Sequence, residues 1–288
     1  MRSDSTTNAP DARVILRHLA FSPGLRLQEL QARWPELVPR LDDAVSDVLD
    51  RQKESLKSFS HQAFNLNEQL RTSISQLPNL VKLELKFIDV TTRADSDFNN
   101  FCNAVASSCP GLETSRFSIP SGPRSFTFHA FRPLMRIGGL RKFFLESGDL
   151  ALKEKDFQEM GESWQSLERL SLPDSRIPLH WFAGIAKYFS CMLEEINVDI
   201  QVPEDLDPDC AVPKAFKALK RISYVEAVSP KALEAVISLL RRLVSPNTVV
   251  ECAEWMEQPL KEVTGNSVHW KGERRRSKRL FSPDSPGS

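Results

Sequence analysis

The chain has 288 residues, 41% of them apolar, which is enough for a substantial core in one large domain or two ordinary ones and excludes wholesale disorder. Lysine plus arginine equals aspartate plus glutamate, 38 against 38, so no overall field recruits nucleic acid or an anionic membrane; any such contact has to be local. Five scattered cysteines, Cys102, Cys109, Cys191, Cys210 and Cys252, never fall in a C-x-x-C frame, which predicts buried reduced thiols in an intracellular protein rather than a zinc site or a disulfide framework.

Taken in chain order, "MRSDSTTNAP" has no apolar signal core, so residues 1–10 are expected to be disordered. No stretch reaches the roughly 18 apolar residues that a membrane helix needs, and no membrane partner is expected. "DARVILRHLAF" reads as one short helix. A pattern L-x-x-L-x-L then sets in, weakly in "GLRLQEL" near Leu27 and in "LKSFSH" at Leu56, and fully in "LVKLEL" with Leu80, Leu83 and Leu85. "LETSRF" is a degenerate copy with Leu112, Ser115 and Phe117. "LRKFFL" carries Leu140, Phe143 and Leu145, and "LERLSL" carries Leu167, Leu170 and Leu172. "LEEINV" supplies Leu193, Ile196 and Val198, and "LKRISY" supplies Leu219, Ile222 and Tyr224. From Leu80 onward the leading leucines follow one another at 26–32 residues, converging on a leucine-rich-repeat period.

Between these rungs lie helical patterns: Phe98, Phe101, Val105 and Cys109; then Phe157, Met160 and Trp164; then Ile185 and Phe189; then Leu233, Val236, Ile237 and Leu240. Asp95 or Ser96, and Ser229 ahead of Pro230, are the expected helix starts. A strand whose leucines point inward cannot bury them alone, and parallel strands need a crossover that a helix can supply. The predicted fold is an α/β leucine-rich-repeat solenoid of seven or eight units over residues 11–262. Its horseshoe is similar to that of ribonuclease inhibitor, with parallel strands on the concave face and helices on the convex face.

Strand alternation then names a binding surface, because the residues between the leucines face the concave side. These are Lys82, Glu84 and Lys86; Thr114, Arg116 and Ser118; Lys142, Phe144 and Glu146; Arg169 and Ser171; Glu195, Asn197 and Asp199; and Arg221 and Ser223. Basic character early and acid at the Glu195 row predict a protein partner of mixed charge, with Phe144 as an aromatic anchor. The competing reading of Phe144 is core packing through a register shift. Two insertions, "SGPRSFTFHAFRPLMRIGG" and "QVPEDLDPDCAVPK", are expected to be loops at one rim, with at least two of Phe126, Phe128 and Phe131 folded back onto the core.

Catalytic patterns are absent. The histidines His18, His61, His129, His180 and His269 form no H-x-x-x-H or H-E-x-x-H frame, and no G-x-S-x-G, phosphate-binding loop or dinucleotide fingerprint occurs. The expectation is a non-enzyme without metal or cofactor.

Regular patterning stops at Thr264, and residues 263–288 read as a basic disordered tail. Its run Arg274, Arg275, Arg276, Lys278 and Arg279 resembles a nuclear import signal read by an importin, which places the protein in the nucleus and/or cytoplasm. The continuation through Leu280 and Phe281, with Ser282 and Ser285 each before a proline, resembles a cyclin-docking motif beside kinase sites. No specific nucleic-acid contact is expected.

"GESWQSLERLSLPDSRI", the Pro78-Asn79-Leu80 and Pro110-Gly111-Leu112 starts, "HWFAGIAKYFSCMLEEINVDI" and the closing "LKRISYVEAVSPKALEAVISLLRRLV" together resemble the leucine-rich-repeat part of fungal, basidiomycete-type F-box-like proteins over roughly residues 20 to 260. The resemblance implies a substrate-recognition protein of a cullin-type ubiquitin ligase, joined to it by a Skp-type adaptor that binds an F-box. That box is not visible here: "DARVILRHLAF" lacks the family's leading Leu-Pro and following helices. The alternative class is a nuclear leucine-rich-repeat scaffold or regulatory protein with no part in ubiquitin transfer.

Overall fold

The computed structural model describes residues 9–22, 24–32, 41–63, 67–87, 94–120, 126–147, 150–189, 192–202, 215–227, 230–245, 247–252 and 268–270. Strands and helices alternate along it. After α1 (Ala9–Phe21) come β1 (Glu29–Ala32), α2 (Leu41–Gln52), β2 (Ser58–Ala63), α3 (Glu68–Ile74), β3 (Lys82–Phe87), α4 (Ala94–Ser108) and β4 (Thr114–Ile119). A short β5 (Phe126–Thr127) leads into a 3-10 helix (Phe128–Arg136), followed by β6 (Lys142–Ser147), β7 (Leu150–Ala151), α5 (Glu154–Ser163), β8 (Arg169–Pro178), α6 (Leu179–Phe189) and β9 (Glu195–Val202). The chain continues through β10 (Arg221–Ala227), α7 (Pro230–Leu243), β11 (Val249–Cys252) and β12 (Val268–Trp270).

Ten of these strands form one open sheet in the order β1-β2-β3-β4-β6-β8-β9-β10-β11-β12, so its strands lie side by side in chain order, and every pair is parallel. β5 and β7 make a separate two-stranded parallel pair. Helices supply the crossovers and touch in the same order: α1 on α2, α2 on α3, α4 on the 3-10 helix, that helix on α5, α5 on α6, and α6 on α7. The result is a two-layer α/β arrangement with a single contiguous core running from Ala12 to Cys252.

The rungs fall in register. Lys82 pairs with Thr114, Thr114 with Lys142, Lys142 with Arg169, Arg169 with Glu195 and Glu195 with Arg221, so the six rungs, the degenerate one included, align where their strands begin. The two weak copies belong to the same frame, with Glu29 opposite Ser58 and Ser58 opposite Lys82. One hydrogen-bond device recurs where each strand begins. The Lys57 carbonyl accepts from Val81 N–H at 2.8 Å and Lys82 N–H at 3.0 Å; the Val81 carbonyl accepts likewise from Glu113 and Thr114, and the Glu113 carbonyl from Arg141 and Lys142. Just upstream, the N–H of four leading leucines closes a tight turn: Leu80 to the Leu77 carbonyl, Leu112 to Cys109, Leu140 to Ile137, and Leu167 to Trp164, at 3.0–3.2 Å. These turns satisfy backbone groups that would otherwise be stranded at the core's edge.

The leucine positions are the core. Leu80, Leu83, Leu112, Leu140, Phe143, Leu172, Ile196 and Ile222 are completely buried. Each such apolar side chain contributes on the order of 1.5–3 kcal/mol. Two rungs carry polar residues in this frame. In the degenerate copy, Ser115 occupies the place of Leu83, and its Oγ is buried with no hydrogen-bond partner among the described residues. Ser115→Ala is therefore expected to raise stability by about 1 kcal/mol, since an unsatisfied buried hydroxyl is a net cost; urea denaturation reads it, and a loss of stability would mean the hydroxyl has a partner.

Several sequence expectations are corrected. The first insertion is not a loop: residues 128–136 form the 3-10 helix, which burries Phe128, Ala130, Phe131 and Leu134 and takes the place of an α-helical crossover between β4 and β6. Pro133 lies inside it, and the i, i+3 spacing of Phe128, Phe131 and Leu134 matches a three-residue turn. Phe128 and Phe131 fold back as expected; the Phe126 side chain and residues 203–214 of the second insertion lie outside the described residues. α4 begins at Ala94, so Asp95 sits within its first turn beside the positive end of the helix dipole, where it accepts from Thr127 Oγ1 at 2.9 Å. Ser229 also lies outside the described residues, and Pro230 is the first residue of α7. The sheet has ten strands rather than seven or eight units, and β12 lies inside the stretch expected to be tail, so the boundary at residue 262 is too early.

Candidate recognition face

Alternation divides the sheet sharply. In β3 the inward residues Leu83, Leu85 and Phe87 are buried, whereas Lys82, Glu84 and Lys86 are half-buried or exposed on the side away from the helices. β4 repeats this, with Ser115, Phe117 and Ile119 inward and Arg116 outward. The twelve residues assigned to the binding surface alternate with the buried positions of their strands, on the open side: Lys82, Glu84, Lys86, Arg116, Lys142, Phe144, Glu146, Arg169, Glu195, Asn197, Arg221 and, past a register shift, Asp199. The tail residues Arg274, Arg275, Arg276, Lys278, Arg279, Leu280, Phe281, Ser282 and Ser285 lie outside the described residues.

The charges on the face are organised in cross-strand and same-strand pairs. Lys82 Nζ stands 3.2 Å from Glu84 Oε1, Arg116 Nε 3.9 Å from Glu146 Oε1, and Arg169 Nε 3.5 Å from Glu195 Oε2. Asn197 Nδ2 donates to Ser171 Oγ at 2.9 Å. Phe144 sits opposite Arg116, whose guanidinium lies over its ring at 4.6 Å from the centroid, a cation–π contact that leaves the aromatic half-exposed. Its neighbour Phe143 is fully buried, so no register slip draws Phe144 into the core.

A cleft of about 260 Å³ opens across β2, β3, β4 and β6, lined by Ser60, Gln62, Glu84, Lys86, Arg116, Ser118 and Glu146, with His61 at its base. A second ladder runs along the residues that precede the strands. Arg141 Nε donates to Glu168 Oε1 at 2.9 Å and also faces Glu113, and Lys220 Nζ donates to Glu194 Oε1 at 2.6 Å. The hydrogen bond to Glu168 raises the Arg141 pKa, and the hydrogen bond from Lys220 lowers that of Glu194.

Beneath the cleft lies an arrangement that sequence reasoning missed. His61 occupies the place of a core leucine in β2, and its Nε2 meets Asp42 Oδ1 of α2 at 2.7 Å while Nδ1 faces the Ala32 carbonyl of β1 at 3.2 Å. Both side chains are almost fully buried, and Phe59 stacks on the imidazole at 5.9 Å. A histidine in a leucine frame was the available signal, because a buried imidazole demands a partner. Arg176 was also missed: β8 continues past Leu172 with a register shift, which sets Arg176 Nε 3.7 Å from Asp199 Oδ2.

Among the described residues no group of three or more His, Cys, Asp or Glu is placed to hold a metal ion. Cys102, Cys109 and Cys252 are buried. Burial pushes the Cys109 pKa up to about 12 and that of Cys102 upward as well, which suppresses the thiolate. No helix among the described residues is long and apolar enough to cross a membrane. No protein-family model matches the chain, and no curated protein matches it in sequence.

Proposed function

We propose that the chain is a leucine-rich-repeat solenoid that serves as a protein-recognition module, similar to the substrate-recognition part of a cullin-type ubiquitin ligase receptor, and that its partner docks on the open sheet face. The observation that carries this reading is the uncovered face itself. All-parallel sheets ordinarily have helices on both sides, yet here one side presents Lys82, Lys86, Arg116, Phe144 and Arg169 with no element over them among the described residues. The regular rung geometry and the 24–32 residue spacing of the paired strands from β2 to β11 support the repeat class. Attachment to a Skp-type adaptor, import through the basic tail and a ligase role rest on the sequence resemblance.

Proximity labelling in the native cell tests this, comparing the full chain with a variant carrying Lys82→Ala, Arg116→Ala, Phe144→Ala and Arg169→Ala. A set of protein neighbours lost in the variant is expected. Adaptor and cullin subunits in the wild-type set favour the ligase receptor; their absence, with other partners still lost in the variant, favours a scaffold. Neighbours unchanged by the four substitutions would remove the face as the binding surface.

A further inference from the structure

Resting on that reading of the open face, we propose that its partner presents an acidic, extended protein segment lying across the strands. The sequence suggested mixed charge, but the structure shows how those charges are spent. From β3 to β10, each acid assigned to the face stands within 4 Å of a cation: Glu84 with Lys82, Glu146 with Arg116, Glu195 with Arg169, and Asp199 with Arg176. Lys86, Lys142 and Arg221 have no acidic partner among the described residues. Among the described face residues from β3 to β10, positive charge is therefore in surplus, and an incoming carboxylate meets cations not already neutralised.

Placement sharpens the chemistry. Lys86 borders the cleft, where Arg116 is held flat by Phe144 and makes no hydrogen bond to a described residue; its pair with Glu146 is long at 3.9 Å. A guanidinium braced in this way offers its N–H edge to a carboxylate, with Ser60, Gln62 and Ser118 alongside. The surplus cations stand on the first, third and sixth strands of the run β3-β4-β6-β8-β9-β10. Five inter-strand spacings span roughly 24 Å, and Lys86 lies four residues beyond the row that Lys142 and Arg221 share, about 13 Å along the strands, so the diagonal of roughly 27 Å calls for about eight residues of extended chain. Glu84, Glu146, Glu195 and Asp199 remain on the face. They would oppose the unbroken negative backbone of a nucleic acid, whereas a protein can set neutral or basic side chains over them.

The test places a photo-crosslinking benzoylphenylalanine at Gln62, on the cleft rim, in the full chain expressed in its native cells, and identifies the captured segment. An Asp/Glu-rich segment is expected, with capture falling at least tenfold in the Lys86→Gln, Lys142→Gln, Arg221→Gln variant. These three side chains have no described ionic partner, so the variant's melting temperature should not change; if it drops, Lys86→Gln alone provides the comparison. A neutral or basic segment, or acidic capture indifferent to the substitutions, overturns the inference and leaves the recognition face standing. Capture of nucleic acid alone, or of nothing, overturns both.

Discussion

Asp42→Ala is expected to destabilise the protein by about 1–3 kcal/mol, the usual consequence of leaving a buried polar group, here the His61 imidazole, without its hydrogen-bond partner. Asp42 and His61 are 5% and 0% exposed at their side chains, so water cannot replace the lost contact. The pair also ties three elements together. Asp42 lies in the first turn of α2, His61 in β2, and the imidazole's second nitrogen faces the carbonyl of Ala32 in β1. Asp42→Asn retains an oxygen acceptor for Nε2 and should cost less. Urea unfolding of the two variants measures both; a change below about 1 kcal/mol for the alanine variant would show the pair to be dispensable.

Leu170→Asp is expected to abolish cooperative folding. Loss of the buried aliphatic chain alone costs on the order of 1.5–3 kcal/mol, and an unpaired carboxylate in that position adds several more. Their sum approaches the 5–15 kcal/mol that typically holds a domain together. Ile196→Asp, at the paired position of the neighbouring strand, should behave alike, because Leu170 and Ile196 are in register and both are buried. The adjacent substitution Ser171→Asp points to the open side and keeps an acceptor for Asn197 Nδ2, so its stability should stay within about 0.5 kcal/mol of wild type. Thermal melts of the three separate the faces; an unchanged melting temperature for Leu170→Asp would remove that position from the core.

The strands absent from the sequence reading have a physical explanation. β11 pairs with β10 at Arg221 and Val249, which puts exposed Asn247 where the other rungs have a leading leucine. Buried Thr248 instead donates its hydroxyl to the Leu219 carbonyl at 2.8 Å, so a hydrogen bond stands where a leucine pattern would have been sought. The first insertion misled for a related reason: proline and glycine mark turns, yet the burial of three apolar side chains at a three-residue spacing holds residues 128–136 helical.

The order of the strands, their frame and the identity of the outward residues were determined by the sequence itself, because the side-chain period of a strand and the repeat spacing are local properties written in the chain. Tertiary structure alone decided which charges cancel. Glu146 with Arg116 could be brought together only by the pairing of separate strands, as could Asp199 with Arg176 across a register shift. The same holds for His61 and Asp42, 19 residues apart, whose meeting depends on how α2 crosses behind β2. Pairings of this kind depend on distances of a few ångströms between separate elements, which no pattern of residue types along one strand encodes.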